Sequence, residues 1–586
     1  MMMNITKPMH SDQSPNDLDL SIAVTGSGGS GAITCGLILL EAVAAEGLYG
    51  LMSRSLGPQI RGGESAAMLR ISSEPVDCLD DRFDLLVGLD WRNVERFADE
   101  IPLNSHSLIV TDSATDAVPP CLLESQAQVL PLPVHELAAN ITDGRSNMIV
   151  LGIAGYLCGL DLNSLMESTR TGLAKKGSEI SEAAALCVEQ GFRSVTDRKR
   201  LLKQDQMPDK RPLWNISGNE ACGLGGLRGG IRFVAAYPIT PASDMLEWLS
   251  PRLEQMGGSL LQAEDELASI NMLIGASFGG VPAMTATSGP GLSLMAEGLG
   301  LAVASETPLV VVNVTRGGPS TGLPTKSEQS DLNLALYGMH GDAPHLVIAP
   351  LSIADCATST EWAVGLAERL QSVAIVLTDQ FLAQNRAITD PVRPGSFELR
   401  RKSAPHSAAP YLRYQLSADG VSPMSTPGLP DCIYTGEGLE HNERGMPSSQ
   451  AVDHLSQLHK RQHKLETFDY GRYWVETQGD GDLCLFTWGS TAGVVFEAAK
   501  RLSAQQIATR VIAIRLLMPL QRDALQELIK TAKRILVVEQ NHQAQFFHYL
   551  HAQQILPDSA ESLARPGPIP FRPGEIVTRV RIWSNG

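Results

Sequence analysis

Apolar residues along the chain gather in short runs, and most runs are followed by a Gly- or Pro-bearing turn and then a helical pattern. SIAVTG (21–26), FDLLVGLD (83–90) and SLIVTDS (107–113) read as buried strands, and NMIVLGIAGYLCGL (147–160) as a core helix. A second set comprises IRFVAAYP (231–238), VPAMTATS (281–288), TPLVVVNVT (307–315), PHLVIAP (344–350) and SVAIVLTD (372–379). A third contains DLCLFTWGS (482–490), TRVIAIRLL (509–517) and RILVVEQN (534–541), with helices through 501 and 532 between them. Strands alternating with helices predict mostly parallel sheets with right-handed crossovers. The expected fold is therefore α/β, with three α/β domains at 19–195, 213–405 and 469–586. Residues 1–18 read as a polar tail. The charged stretch 196–212 reads as a linker or a solvated helix. Residues 406–468 are rich in Pro, Ser, Gly and His and poor in periodic apolar runs, and read as an extended segment lying over its neighbours.

Composition narrows the class. The 586 residues carry a formal net charge of −17. That argues against a general nucleic-acid binder, which needs clustered Lys and Arg to neutralise phosphate. No apolar run reaches the ~18–20 residues of a membrane span. The nine cysteines contain no Cys-x-x-Cys pair, which removes the usual zinc and iron–sulfur spacings. Buried, reduced thiols in a cytoplasmic protein are expected instead.

Several turns carry candidate chemistry. The loop from Gly26 through Gly28 and Gly29 to Gly31 joins a strand to a helix, a geometry whose backbone N–H groups and helix dipole suit an anion. Its Gly-x-Gly-Gly-x-Gly spacing departs from the dinucleotide fingerprint, and no acidic ribose ligand closes a second strand about 20 residues on. The loop is equally consistent with a plain tight turn. Leu56–Gly63 is a further turn, in which Arg61 could meet a phosphate or carboxylate or be merely structural. In the second region Tyr237-Pro238-Ile239-Thr240-Pro241 ends a strand, and its prolines stiffen the backbone around Thr240. Glu264 and Glu266 stand where a small-residue helix begins. Ser288-Gly289-Pro290-Gly291 links strand to helix, its glycines permitting close approach of a ligand. Arg316 opens a Gly- and Pro-rich loop after TPLVVVNVT. Each feature alone is weak, but together they map to one edge of one sheet.

YPITP (237–241), QAEDE (262–266), TATSGPG (285–291) and RGGPSTGLPT (316–325) together resemble the α subunit of 2-oxoacid:ferredoxin oxidoreductases. GLEHNERG (438–445) and TWGST (487–491) extend the likeness, and GSGGSG with GPQIRGG resembles the family's γ subunit. The chain thus resembles the fused γ–α type, more the 2-oxoglutarate than the pyruvate branch. The resemblance implies a γ-type domain, a pyrimidine-binding domain for thiamine diphosphate and a transketolase C-terminal-like domain. It implies that Glu266, nine positions before Gly275, contacts the aminopyrimidine, leaving Glu264 as a cap or a nearby charge. It implies that Thr240, Arg316 and Thr325 bind the 2-oxoacid. Tyr237, Pro238, Ile239, Ser288, Gly289, Pro290 and Gly291 are then expected to line the cofactor. Coenzyme A, the co-substrate, could contact Gly26, Gly28, Gly29, Gly31 and Arg61.

The diphosphate-binding Gly-Asp-Gly…Asn-Asn pair is missing. Gly479-Asp480-Gly481 precedes its strand and reads as a polar turn. The resemblance assigns diphosphate, Mg²⁺ and a 4Fe–4S cluster to a β subunit, in an (αβ)₂ assembly that reduces ferredoxin. The implied reaction is CoA-dependent decarboxylation to an acyl-CoA (succinyl-CoA for 2-oxoglutarate), or the reverse carboxylation of a reductive cycle. Two alternatives stay open: a pyruvate or broad 2-oxoacid substrate, and an NAD(P)-binding Rossmann dehydrogenase built on Gly26–Gly31.

Overall fold

The computed structural model describes residues 18–57, 63–114, 117–202, 208–323, 326–397, 399–404 and 410–584. Their strands form three sheets of eight, seven and five members, flanked by helices in an α/β arrangement.

In the first sheet, Gln128–Leu132, Leu108–Asp112, Leu85–Gly88 and Asp19–Ser27 run parallel. Asp19–Ser27 is buried along nearly its whole length, so it needs cover on both faces. Ile22 and Val24 face a core built with helices Ala32–Ala45 and Ser146–Leu157. Ala23, one step along the pleat, faces the other way into a core shared with the second sheet. Beyond this strand the order turns antiparallel, through Glu64–Ser72 and Tyr49–Leu56. The sheet does not end with residue 195. Arg386–Thr389 pairs with Tyr49–Leu56, and Trp214–Ser217 closes the edge, both contributed by the second region.

The second sheet is parallel from Leu346–Ile348 through Val373–Asp379, Leu309–Thr315, Ala283–Thr287 and Phe233–Ala236 to Ser259–Gln262. Its antiparallel edge, Leu516–Met518, comes from the C-terminal region. The run TRVIAIRLL is thus two strands: Thr509–Ile514 stays in the third sheet. The break falls at Arg515, whose Nε donates to Asp355 Oδ2 at 2.8 Å. The third sheet has the order Val475–Gln478, Thr509–Ile514, Leu483–Trp488, Arg534–Glu539 and Glu561–Ala564. Gly479–Gly481 is the turn between its first two strands in chain order.

The stretch 406–468 differs from the sequence expectation. It holds a four-turn helix, Ala451–Glu466, whose buried face is mostly charged, with Lys460, Arg461 and Lys464 beside Gln457 and a single apolar residue, Leu465. Lys460 and Lys464 both pair with Glu306, the latter at 2.7 Å, and Arg461 pairs with Glu440 at 2.7 Å. Burial alone would raise the Glu306 carboxyl, but Lys460, Lys464 and Arg413 outweigh it and hold it well below the usual range. Residues 196–202 and 208–212 form no helix. No helix among the described residues is long and apolar enough to cross a membrane.

Candidate active site

Three neighbouring parallel strands of the second sheet, Phe233–Ala236, Ala283–Thr287 and Leu309–Thr315, end at the same edge. Their carboxyl ends lead into Tyr237–Pro241, Ser288–Gly291 and Arg316, the position where open α/β sheets bind ligands. The structure brings Thr240 and Arg316 together directly, with Arg316 Nη1 donating to the Thr240 carbonyl at 2.7 Å. Tyr237, Pro238 and Thr240 are exposed, and Ile239 and Pro290 are half-buried.

Glu266 is the first residue of helix Glu266–Phe278 and is buried, whereas Glu264 is exposed. The cap is neither of them: Asp265 accepts from the Ala268 amide at 2.7 Å, which leaves Glu264 the other role expected of it, a nearby charge. Among the described residues nothing donates a hydrogen bond or ion pair to the Glu266 carboxylate, which rests at the positive end of its helix. It lies instead against Gly291. A Cβ there would sit 2.6 Å from Glu266 Oε1 and collide with Thr287 Oγ1. Gly291 therefore lets its helix pack directly against the Glu266 side chain.

Gly289 is crowded in the same way: its Cβ would come within 2.6 Å of the Asp331 carboxylate. Asp331 Oδ2 accepts from Asn313 Nδ2 at 3.0 Å, and Asn313 Nδ2 also reaches Thr315 Oγ1 at 3.2 Å. Burial raises the Asp331 carboxyl above its usual range against the opposing pull of Asn313, Thr315 and Arg316. Sequence reasoning missed Asn313 and Asp331. A visible signal for Asn313 was a lone amide inside the apolar run TPLVVVNVT. Ser288 Oγ, Asn313 Oδ1, Ser330 Oγ and Arg316 Nε are buried here without a partner among the described residues, a donor and acceptor set that fits a polar ligand. These donors and acceptors fit a polar heterocycle such as the one thiamine diphosphate carries, and among the described residues nothing at this edge resembles a diphosphate cradle. Among the described residues no group of three or more His, Cys, Asp or Glu could hold a metal ion.

The Gly26–Gly31 loop is elsewhere, on the first sheet. Gly29 and Gly31 have φ of 97° and 93°, which glycine alone adopts readily. The Gly28 and Ser30 amides are already engaged by the Gly63 and Ser27 carbonyls. A cavity of about 630 Å³ opens here, lined by Gly29, Gly31, Arg92, Arg145 and Lys176 among others. The two regions are linked. Arg54, near the end of Tyr49–Leu56, pairs with Asp244 at 3.1 Å, and Lys326 donates to Ser55 Oγ at 2.8 Å and Glu100 Oε1 at 2.5 Å. Arg61 and Thr325 lie outside the described residues.

Comparison with known proteins completes the assignment. The family model for the thiamine diphosphate-binding part of pyruvate flavodoxin/ferredoxin oxidoreductase matches residues 225–460. That for pyruvate ferredoxin/flavodoxin oxidoreductase matches 21–194, and the transketolase C-terminal domain matches 472–547. A 2-oxoacid:ferredoxin oxidoreductase α subunit from a Sulfolobus species is 32% identical, covering 90% of this chain and 91% of its own. The 2-oxoglutarate synthase subunit KorA of Methanothermobacter marburgensis is 34% identical, over 62% of this chain and 97% of its own. The solved 2-oxoglutarate:ferredoxin oxidoreductase of Magnetococcus marinus, with 2-oxoglutarate, coenzyme A and succinyl-CoA bound, superposes with a TM-score of 0.89. It is 35% identical and covers 96% of this chain and 99% of its own. The fold and these likenesses define an oxidoreductase of the 2-oxoacid class. The chain belongs to the family of 2-oxoacid:ferredoxin oxidoreductase α subunits. The match over 21–194 leaves the NAD(P) dehydrogenase alternative without support.

Proposed function

We propose that this chain is the α subunit of a thiamine diphosphate-dependent 2-oxoglutarate:ferredoxin oxidoreductase that makes succinyl-CoA and CO₂. The observation carrying the reading is Glu266, a buried residue at the start of its helix whose carboxylate packs against Gly291 and has no hydrogen-bond or ion-pair partner among the described residues. Thiamine diphosphate supplies an electron sink for the carbon that loses CO₂. Glu266 holds a proton at the aminopyrimidine N1′, with Ser288–Gly291 and Tyr237–Ile239 around the ring. Arg316, fixed on the Thr240 carbonyl, presents its guanidinium to the 2-oxoacid carboxylate, and Thr240 and Thr325 are the further residues proposed to bind it. Charge-assisted binding there orients the keto carbon before reaction.

The site is half of one. Leu267 and Met272 on the Glu266 helix, and Leu294 on the helix after Gly291, are exposed apolar side chains beside it. They suit a partner subunit that brings the diphosphate, Mg²⁺ and 4Fe–4S cluster and passes electrons to ferredoxin, in an (αβ)₂ assembly. Coenzyme A fits the Gly26–Gly31 cavity, where Arg92, Arg145 and Lys176 meet its phosphates. Arg54, Ser55 and Lys326 tie the end of Tyr49–Leu56 to the second region, and Arg61 is proposed as a further coenzyme A contact. None of the nine cysteines forms a disulfide, and eight of them are buried, which fits the reducing cytoplasm. The choice of 2-oxoglutarate over pyruvate follows the likeness to the Magnetococcus marinus enzyme and to KorA.

The test is co-expression with a candidate β subunit, cofactor analysis and assays with coenzyme A and a low-potential dye. A co-purifying chain with bound thiamine diphosphate and iron, and a higher kcat/KM for 2-oxoglutarate than for pyruvate, is expected. Preference for pyruvate would overturn the substrate, and turnover by this chain alone would overturn the shared site.

A further inference from the structure

The third sheet has its own ligand crevice, and the protein fills it. Leu483–Trp488 is followed on one side by Thr509–Ile514 and on the other by Arg534–Glu539, so the chain reverses direction across the sheet between Leu483–Trp488 and Arg534–Glu539. A doubly wound sheet binds its ligand just beyond the carboxyl ends of such a strand pair. Here two side chains stand where a ligand would. Glu539 accepts from the Phe546 and Phe547 amides at 2.8 and 2.9 Å, so the N-terminus of helix Gln545–Ala552 already carries an anion. Gln329, from the second region, occupies the crevice itself.

Gln329 is 1% exposed, and its amide is satisfied wholly from the third sheet. Nε2 donates to the Trp488 carbonyl at 2.8 Å, and Oε1 accepts from the Gln540 amide at 2.8 Å and from Thr491 Oγ1 at 3.3 Å. Its backbone amide donates to the Gln540 carbonyl at 2.8 Å. The neighbours follow suit. Gln545 Nε2 donates to the Ser330 carbonyl at 2.9 Å, the Asn333 amide to Gln545 Oε1 at 2.9 Å, and the Gly567 amide to Glu328 Oε1 at 3.1 Å. This docked segment is the return limb of the loop that begins at Arg316. The loop's base is closed by the Gly317 amide on the Lys326 carbonyl at 2.8 Å, three residues before Gln329.

We infer that Gln329 is a positioning residue for the 2-oxoacid: by docking in the third sheet's crevice it fixes the return limb of the Arg316 loop. The C-terminal region then serves the reaction as a mount for the substrate loop. This rests on the reading of Arg316 as the group that binds the 2-oxoacid carboxylate.

The experiment uses the co-expressed holoenzyme with Gln329→Ala, and Gln329→Glu as a variant that keeps length and the Oε1 acceptor but removes the donor to Trp488. In both, the KM for the 2-oxoacid rises about tenfold, equivalent to about 1.4 kcal/mol of binding. The KM for coenzyme A and the bound thiamine diphosphate stay unchanged, and hydrogen exchange at the Gly317 and Leu323 amides accelerates. A merely structural wedge would lower the yield of folded enzyme or kcat and leave the 2-oxoacid KM alone, which overturns the inference. Arg316→Ala separates the two ideas. If it raises the 2-oxoacid KM and the Gln329 variants do not, only the mounting role falls. If Arg316→Ala leaves that KM unchanged, the substrate reading itself falls.

Discussion

Two glycine-bearing strand-to-helix turns do different work in this molecule. At Gly29 an added Cβ would meet nothing within 4 Å, and the backbone, not the space, demands glycine through its φ of 97°. At Gly291 the backbone makes no such demand, because 291 lies inside helix Gly289–Ala304. There the demand is spatial, set by Thr287 and the Glu266 carboxylate. The first turn shapes an open cleft suited to an extended anion. The second lets a helix backbone pack against one charged group. The same letters in a sequence thus encode a backbone conformation in one place and close packing in the other.

The contrast breaks most sharply at the charge. In the holoenzyme Glu266→Gln lowers turnover about 10²–10⁴-fold, the range of a lost proton-transfer group, while coenzyme A binding measured by calorimetry is unaltered. Comparable turnover in the variant would remove Glu266 from the chemistry. The glycines come next. Gly291→Ala costs about 1–3 kcal/mol from overpacking and lowers turnover. Gly29→Ala costs roughly 1–2 kcal/mol of backbone strain and shifts only the coenzyme A KM. Denaturant melts and steady-state kinetics on the pair settle the matter, and equal losses of turnover would erase the distinction.

The smallest effect is electrostatic. Asp379 pairs across the ladder with Thr315, at the same strand edge as Arg316. Burial pushes its carboxyl from 3.8 up to about 6, against the pull of Ser490 and the Leu382 amide. A raised carboxyl favours the neutral folded form. Its contribution to stability is full below the unfolded value and is lost as pH rises through the folded one. Asp379→Asn has no such loss, so its stability relative to the parent should grow between about pH 4 and pH 7, by at most about 2–3 kcal/mol. A constant offset in melting temperature across that window would show that Asp379 is charged throughout.

Much of this was legible in the sequence where structure is local. The strands flanking Tyr237, Ser288 and Arg316 follow from apolar runs, whereas the choice of Glu266 over Glu264 comes from the family resemblance, and the structure adds that Glu266 is buried and Glu264 exposed. What escaped was long-range. Tyr49–Leu56 and Glu64–Ser72 carry small and polar residues that look like loop until the distant Arg386–Thr389 completes the ladder. Helix Ala451–Glu466 buries Lys460, Arg461 and Lys464, where a periodicity search expects apolar side chains. Their counterions, Glu306 and Glu440, come from other elements. The docking of Gln329 was invisible for the same reason, since its partners Trp488 and Gln540 lie far along the chain.

The first sheet's continuity has a consequence for how such a chain could arise. Residues 49–56 register against 386–389, Met52 opposite Arg386, and the ladder continues to Trp214–Ser217. A polypeptide cut between the helix ending at Arg193 and the strand opening at Trp214 would yield two pieces still zipped edge to edge by backbone hydrogen bonds. Fusing two genes at that point would join partners already built as one sheet, so the covalent link adds proximity and leaves the architecture as it was.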